Sequence, residues 1–268
     1  MASDILLQDI RQGVATMTFN RPKELNAIDN ALAVALGKAL QATAKDDKVR
    51  CVVLRGAGGH FMAGGDIKAF GATLEKEEWT RRQATGELAF YAHEIIETIH
   101  HMGKPVIASQ RGAAAGFGAS LLLACDLAIA SENSFFTLAY RQIGLSPDGG
   151  STYFLPRSVT FKQAMEIALL SERIDARRAY ELGIVNRVVP DEKLEEATAE
   201  MAERLTSGPR QALARTKALL NNAFSCGAAL QSQLRLEERG IMDCAAGEEF
   251  REGIAAFLAK RKPNFPKA

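Results

Sequence analysis

The sequence is poor in the residues that crosslink a chain, bind metal or anchor it in a membrane. Of its 268 residues four are cysteine, at 51, 125, 226 and 244, and no two have the C-x-x-C spacing of a redox or zinc pair. Cys51 and Cys125 lie inside apolar runs. All four read as reduced thiols, as in a cytoplasmic protein. Histidine is equally scarce, with four in all, and the adjacent His100 and His101 would point to different helix faces. A metal site is therefore not expected. Charge of one sign is missing too: 33 Lys and Arg against 32 Asp and Glu leave a net +1. That balance argues against nucleic acid or an anionic membrane as partner. No apolar run approaches a bilayer span. Met1-Ala-Ser-Asp4 lacks the basic region and apolar stretch of a secretory signal, and the expected location is cytoplasmic. No serine sits in a G-x-S-x-G elbow, which excludes a hydrolase triad of that type.

What is present is the composition of a globular chain, 47% apolar and 24% charged, long enough for one large domain plus an appendage. Ile5–Ile10 and Val14–Phe19, split by Arg11-Gln-Gly13, read as a β-hairpin. Asp29 is a good N-cap for an Ala/Leu-rich helix from about 31 to 44. Cys51–Leu54 reads as a buried strand, and a long helix from about 76 to 102 ends at Gly103-Lys-Pro105. Pro105–Ser109 reads as another buried strand, with further strands at 127–130 and 134–138. Strand and helix alternate to this point, which predicts an α/β domain with a mostly parallel sheet. Beyond Asp148-Gly-Gly the pattern turns helical, at 161–170, 175–182, 191–206, 209–222, 226–243 and 246–260, with one strand-like piece at 185–189. A boundary is expected near residue 200, with a helical appendage that needs a surface to pack on.

The stretch Arg111–Asp126 stands out: small residues and glycines, then a helix apolar at nearly every position. Gly116 and Gly118 let the backbone approach a ligand, and the first N–H groups of the helix have no partner inside it. They are free for an anion, although a tightly packed core helix explains the same pattern. Phe61-Met-Ala-Gly-Gly-Asp-Ile-Lys68 also follows a strand and also opens toward a helix, with Asp66 as its cap. In a parallel sheet both loops lie at the carboxyl ends of strands, where ligands bind. Two N–H groups converging on one oxygen make an oxyanion hole. A third loop, Gly144-Leu-Ser-Pro-Asp-Gly-Gly150, carries one carboxylate, Asp148, readable as a functional acid or as a helix N-cap.

These pieces, with Asn20-Arg-Pro, Asn26-Ala, Ala124-Cys-Asp-Leu-Ala-Ile-Ala130, Leu182-Gly-Ile-Val-Asn-Arg-Val-Val189 and Phe257-Leu-Ala-Lys-Arg-Lys-Pro-Asn-Phe265, resemble in order the landmarks of the crotonase, or enoyl-CoA hydratase/isomerase, superfamily. The resemblance covers nearly the whole chain. It implies an α/β spiral of ββα units over residues 1–200 and a helical oligomerisation and lid region over 201–268, with a homotrimer or a dimer of trimers. It implies an acyl-CoA thioester as ligand, with CoA part of the substrate and no other cofactor. The thioester oxygen would be held by the N–H groups of Gly65 and Phe117, the latter standing where the family usually has glycine. The nucleotide end would be lined by Arg21, Lys23 and Leu25, the adenine by Ala63, Gly64, Asp66, Ile67 and Lys68, with Lys68 near a phosphate. Phe257 and Lys260 of a neighbour's last helix would close over the CoA.

The departures bear on the chemistry. Hydratases of the family use two glutamates; the matching positions here are Ser120 and Tyr140. Neither replaces a carboxylate as a proton carrier near neutral pH. Asp148 instead matches the acting aspartate of some isomerases and of a dehalogenase, and the dehalogenase's histidine has a loose counterpart in His93. The leading expectation is an enoyl-CoA isomerase with Asp148 as base. The alternatives are a hydratase using Asp148, Tyr140 and a positioned water, or a non-catalytic relative that binds CoA esters or RNA. No lysine-rich helix supports RNA. Phe90, Tyr91, Phe117, Phe136 and Tyr140 could line an acyl pocket, or simply pack a core.

Overall fold

The computed structural model describes residues 5–225 and, beyond them, positions 240, 249, 252, 256, 259–261 and 263–265. β1 (Leu6–Arg11) and β2 (Val14–Phe19) form an antiparallel hairpin. Its two-residue turn, Gln12-Gly13, takes positive φ at both positions, 49° and 78°, the geometry that matches the twist of the flanking strands. α1 (Asn30–Lys45) begins where expected: the Asp29 side chain accepts from Leu32 N at 2.8 Å. It feeds β3 (Cys51–Gly56), then α2 (Ile67–Gly71) and the long α3 (Glu78–His101), then β4 (Val106–Gln110). β5 (Ala113–Ala115), α4 (Phe117–Ala124), β6 (Leu127–Ser131) and β7 (Phe135–Thr137) follow. The rest is α5 (Ser151–Ser158), α6 (Phe161–Leu170), β8 (Ile174–Asp175), α7 (Ala176–Glu181), β9 (Arg187–Val189), α8 (Leu194–Thr206) and α9 (Arg210–Ser225).

The main sheet has the order β1-β2-β3-β4-β6-β9 and is parallel except for β1. Because side chains alternate across a strand, its two faces are served by alternate residues. Val52 and Leu54 enter the large core with Leu32, Leu36 and Leu40 of α1 and Ile95 and Ile99 of α3. Cys51 and Val53 face the other way, with Ile107 and Ile129, and are covered by Leu194, Met201 and Ala202 of α8. Residue 200, the expected boundary, thus falls inside a helix that packs on the sheet. Cys51 and Cys125 are free thiols, and burial pushes Cys51 up to about 12, so it is inert near neutrality. Cys226 and Cys244, and the helices expected at 226–243 and 246–260, lie outside the described residues.

A second, three-stranded sheet, β5-β7-β8, was not foreseen. β5 is only three alanines inside the glycine-rich stretch, too short to show a period of two. It pairs in parallel with β7, Ala113 to Phe135 and Ala115 to Thr137. α4 is buried at all eight of its positions, as its unbroken apolar sequence requires. Among the described residues no helix is long and apolar enough to cross a membrane, and no three His, Cys, Asp or Glu gather as metal ligands.

Candidate active site

The loop after β3 runs as an extended strip between two neighbours and is hydrogen-bonded to both. On one edge Phe61 N donates to Arg111 O at 2.7 Å, Met62 N to Ala113 O at 3.0 Å, and Met62 O accepts from Ala115 N at 3.0 Å. On the other, Ala63 N donates to Leu25 O at 3.1 Å, Gly64 O accepts from Ile28 N at 2.7 Å, and Asp66 N donates to Ile28 O at 2.9 Å. Ile28 therefore bonds the residues on either side of Gly65, as in a parallel bridge. Gly65 N itself faces away from that edge. Among the described residues its N–H has no acceptor, and neither has that of Phe117, the first residue of α4. The two loops touch here. A Cβ on Gly64 would lie 3.5 Å from Gly116 Cα and 3.6 Å from Phe117 N. A Cβ on Gly118 would collide with Met62 O, so the helix start reaches the strip only because that residue is glycine.

The third loop brings Asp148 to the same place. Tyr140, in a 3-10 turn at Ala139–Ile143, donates its hydroxyl to Asp148 Oδ1 at 2.6 Å. Ser120, one turn into α4, lies 2.8 Å from the Tyr140 hydroxyl and donates to Asp148 O at 3.0 Å. That carbonyl also accepts from Ser151 N and Ser151 Oγ, at 3.1 and 2.9 Å. The Asp148 carboxylate does not cap α5: Gly150 holds that position with a left-handed backbone and no side-chain cap bond. Its Oδ2 has no protein partner among the described residues. Burial, then the charge and hydrogen bond of Asp148, push the Tyr140 phenol well above its ordinary value, so it stays a proton donor.

A cavity of about 520 Å³ joins these groups. Gly65, Phe117, Tyr140 and Asp148 line it, with Leu25, Ala63, Gly64 and Ile67 on one side and Leu88, Ala89 and Ala92 of α3 on another. Asp148 is the one carboxylic acid in its lining among the described residues. Of the five aromatics considered for an acyl pocket, only Phe117 and Tyr140 line it. Phe136 is core at 1% exposure, Phe90 is 61% exposed, and the half-buried Tyr91 packs against the core. His93 is exposed and lines a different cavity, with Glu97, His100 and Tyr153. α3 presents Ala89 and Ala92 to Asp148's cavity instead, so the register that would bring in His93 is not realised. Two ionisable lining residues were missed. His60 accepts from Ala113 N at its Nδ1, 3.1 Å away, and Arg173 lies 4.5 Å over the Phe135 ring. A single histidine in a loop and an arginine before a two-residue strand carry no periodic signal.

The expected nucleotide-end residues divide. Lys23, Lys68 and Lys260 are exposed, and Phe257 lies outside the described residues. Arg21 is committed inside the protein: it donates to Ala27 O, pairs with Asp66 Oδ2 at 2.7 Å and approaches Asp29 Oδ2 at 3.3 Å. Asp66 caps α2, its Oδ1 accepting from Lys68 N at 2.9 Å and from Ala69 N at 3.4 Å. Burial alone would raise its carboxyl; Arg21 and the two N–H groups outweigh it and hold it below its ordinary value.

Residues 9–268 match the family model described as enoyl-CoA hydratase/isomerase. The chain belongs to this family. It is 34% identical over 262 residues to the 1,2-epoxyphenylacetyl-CoA isomerase of Escherichia coli K12, covering 98% of each chain. It is 36% identical over 273 residues to a "probable enoyl-CoA hydratase" of Rhodobacter capsulatus, covering 99% of each. Among solved structures, an enoyl-CoA hydratase from Polaromonas sp. JS666 superposes with a TM-score of 0.90 at 34% identity, over 97% of this chain and 99% of that one. The fold is the crotonase fold of the family, and relatives named as isomerase and as hydratase resemble the chain about equally.

Arg21 and Asp66 tie the strip that carries Gly65 to the turn before α1, so breaking the pair leaves a buried charge. Arg21→Ala should lower stability by about 3 kcal/mol at pH 7. Asp66 has a depressed value in the folded state, so the stability it contributes is present above the unfolded carboxyl value near about 3.9 and is lost as pH falls through the folded value. The gap between wild type and Arg21→Ala in urea unfolding should therefore be full at pH 7 and shrink below about pH 4. A gap that stays constant on acidification would show that the pair contributes nothing through ionisation.

Proposed function

We propose that the protein is an acyl-CoA isomerase that shifts a double bond in an enoyl thioester, with Asp148 as the base and CoA as part of the substrate. The observation that carries this reading is the cavity's single carboxylate beside two unpartnered main-chain N–H groups. In the reaction proposed, the thioester oxygen rests between the N–H groups of Gly65 and Phe117. Asp148 Oδ2 takes a proton from the α carbon of a 3-enoyl thioester. The electron pair of that C–H bond moves into the thioester, giving a dienolate whose negative oxygen is held by the two donors. The same carboxylic acid returns the proton at the γ carbon, and the double bond ends in conjugation with the carbonyl. One carboxylate is sufficient, and no water is consumed.

Hydration asks for more. A group must take a proton from water while another delivers one to the α carbon. Where the family's hydratases carry glutamates this chain carries Ser120 and Tyr140. Ser120 donates to Asp148 O and Tyr140 to Asp148 Oδ1, and the phenol's raised value keeps it from acting as a base. For the CoA end, Leu25, Ala63, Gly64 and Ile67 line the cavity and suit the adenine and pantetheine, with Lys23 and Lys68 free to meet phosphates. Arg21 holds Ala27 O, Asp66 and Asp29 through its two terminal nitrogens. We also propose a trimer or dimer of trimers. Ile67, Leu74, Trp79 and Phe90 are 58, 69, 68 and 61% exposed, more apolar surface than a single copy covers.

The direct test is to incubate the protein with 3-enoyl-CoA and with 2-enoyl-CoA and follow the absorbance of the conjugated thioester. A gain from the first substrate is expected; a loss from the second alone would identify a hydratase, and no change in either a binding protein. Asp148→Asn keeps the shape and should cut turnover about a hundredfold or more while CoA-ester binding survives. The donor assignment is checked at residue 117. Phe117→Ala keeps the N–H and should hold kcat within about tenfold, whereas Phe117→Pro removes it and should cost about a hundredfold. Equal activity in the two folded variants would count against the Phe117 donor. Light scattering at micromolar concentration should give the mass of three or six copies; a monomer would refute the assembly.

A further inference from the structure

Three positions at which the chain departs from the hydratase pattern, residues 117, 120 and 140, converge on one loop. Phe117 replaces a glycine, yet its ring does not leave the site. A Cβ added to Gly149 would fall 2.8 Å from Phe117 Cδ2 and 2.9 Å from Ser120 Cβ, so ring and serine both lie flush against the residue after Asp148. Phe117 is 4% exposed and Ser120 0%, so both are buried where they meet that loop. The Ser120 hydroxyl donates to Asp148 O at 3.0 Å, and the Tyr140 hydroxyl donates to Asp148 Oδ1 at 2.6 Å. The serine and tyrosine oxygens are 2.8 Å apart, so the two side chains meet at the same point of the loop.

We infer that Phe117, Ser120 and Tyr140 form a three-sided clamp that fixes the backbone and side chain of Asp148 and leaves Oδ2 as the one oxygen able to carry the substrate proton. The inference rests on the isomerase reading for its catalytic meaning, but the clamp itself is a matter of geometry. The three are positioning residues in this role. α4 then does two things from one turn of helix: its first N–H serves the thioester oxygen, and its first and fourth side chains set the base. A carboxylate free to rotate would present either oxygen at varying depth, whereas a 1,3-shift needs one oxygen within reach of both the α and the γ carbon. Tying Oδ1 to a buried phenol supplies that constraint without a second charge.

The test uses Tyr140→Phe and Ser120→Ala, which remove the hydroxyls and little volume. Each should lower kcat about tenfold with KM within about twofold, and in the Asp148→Asn background Tyr140→Phe should cost nothing further. A purely structural role would lower stability without this split or this coupling. An activity-independent reading comes from proton NMR. The short phenol-to-carboxylate bond should give a downfield exchangeable resonance in the wild type that disappears in Tyr140→Phe and in Asp148→Asn. Absence of that resonance in the wild type, its persistence in Tyr140→Phe, or wild-type kcat in both hydroxyl variants overturns the clamp. A resonance with the expected losses in a protein that turns over no enoyl-CoA leaves the clamp standing and removes the isomerase reading alone.

Discussion

The close approach of the 61–66 strip to the start of α4 is the contact on which the site depends. Both edges of the strip are spent on backbone hydrogen bonds, to Leu25 and Ile28 on one side and to residues 111–115 on the other. Those bonds hold Gly65 N and Phe117 N in place without using either. An N–H without a partner costs free energy where it is buried, so a fold that leaves two such groups at one contact needs strong support around them. The support is rigid: a parallel sheet behind, an all-buried helix beside, glycine at 118 where a side chain would collide with the strip, and glycine at 64 and 116 where the backbone takes positive φ. The two donors, whose residues line the cavity, are left without a protein acceptor among the described residues.

Two aspartates near this contact show how environment assigns roles to one residue type. Asp66 is 8% exposed and accepts from Arg21, Lys68 N and Ala69 N. With its lone pairs engaged, it is a structural cap and a poor base. Asp148 is half-buried, has one oxygen tied to Tyr140 and the other open to the cavity. The difference lies in the partners supplied by distant parts of the chain, not in the loop sequences. Gly-Gly-Asp and Pro-Asp-Gly-Gly look equally capable of presenting an acid.

Much of this was legible in the sequence, where the signal is local or periodic. The hairpin, the capped α1, the alternating strands and helices, and both glycine-rich loops follow from patterning and turn chemistry. So did Asp66 as a cap. β5 escaped because three alanines have no period, and the second sheet with it. The aromatic pocket could not be resolved because exposure of Phe90 and burial of Phe136 depend on how α3 is rotated and which sheet face β7 offers. Arg21 shows the limit most clearly. As a basic residue in a matching motif it was expected at the nucleotide end, and no local pattern announces that its guanidinium also meets carboxylates 8 and 45 positions along the chain. His60 and Arg173 show the converse, side chains brought to the cavity by pairing partners that no local pattern announces.

The neutral residues at 120 and 140 are better understood as a condition for Asp148 than as a loss of acids. Position 140 places an oxygen 2.6 Å from Asp148 Oδ1, and position 120 places one 2.8 Å from that oxygen in turn. A carboxylate at either place would face the aspartate at close range in a part-buried site. Two unit charges about 4 Å apart repel by about 4 kcal/mol at an effective dielectric constant of about 20, so one of the pair would hold a proton. The cavity would then contain an acid and a base, the set that water addition needs, in place of one carboxyl group. A phenol and a serine hydroxyl satisfy the same space with donors. Burial and the neighbouring charge keep the phenol protonated, and a protonated phenol is what keeps Asp148 oriented. The charge that the site holds therefore follows from these neighbours: Asp148 is the one carboxylate among the described residues that line the cavity, and the side chains that meet its loop from positions 120 and 140 are hydroxyls.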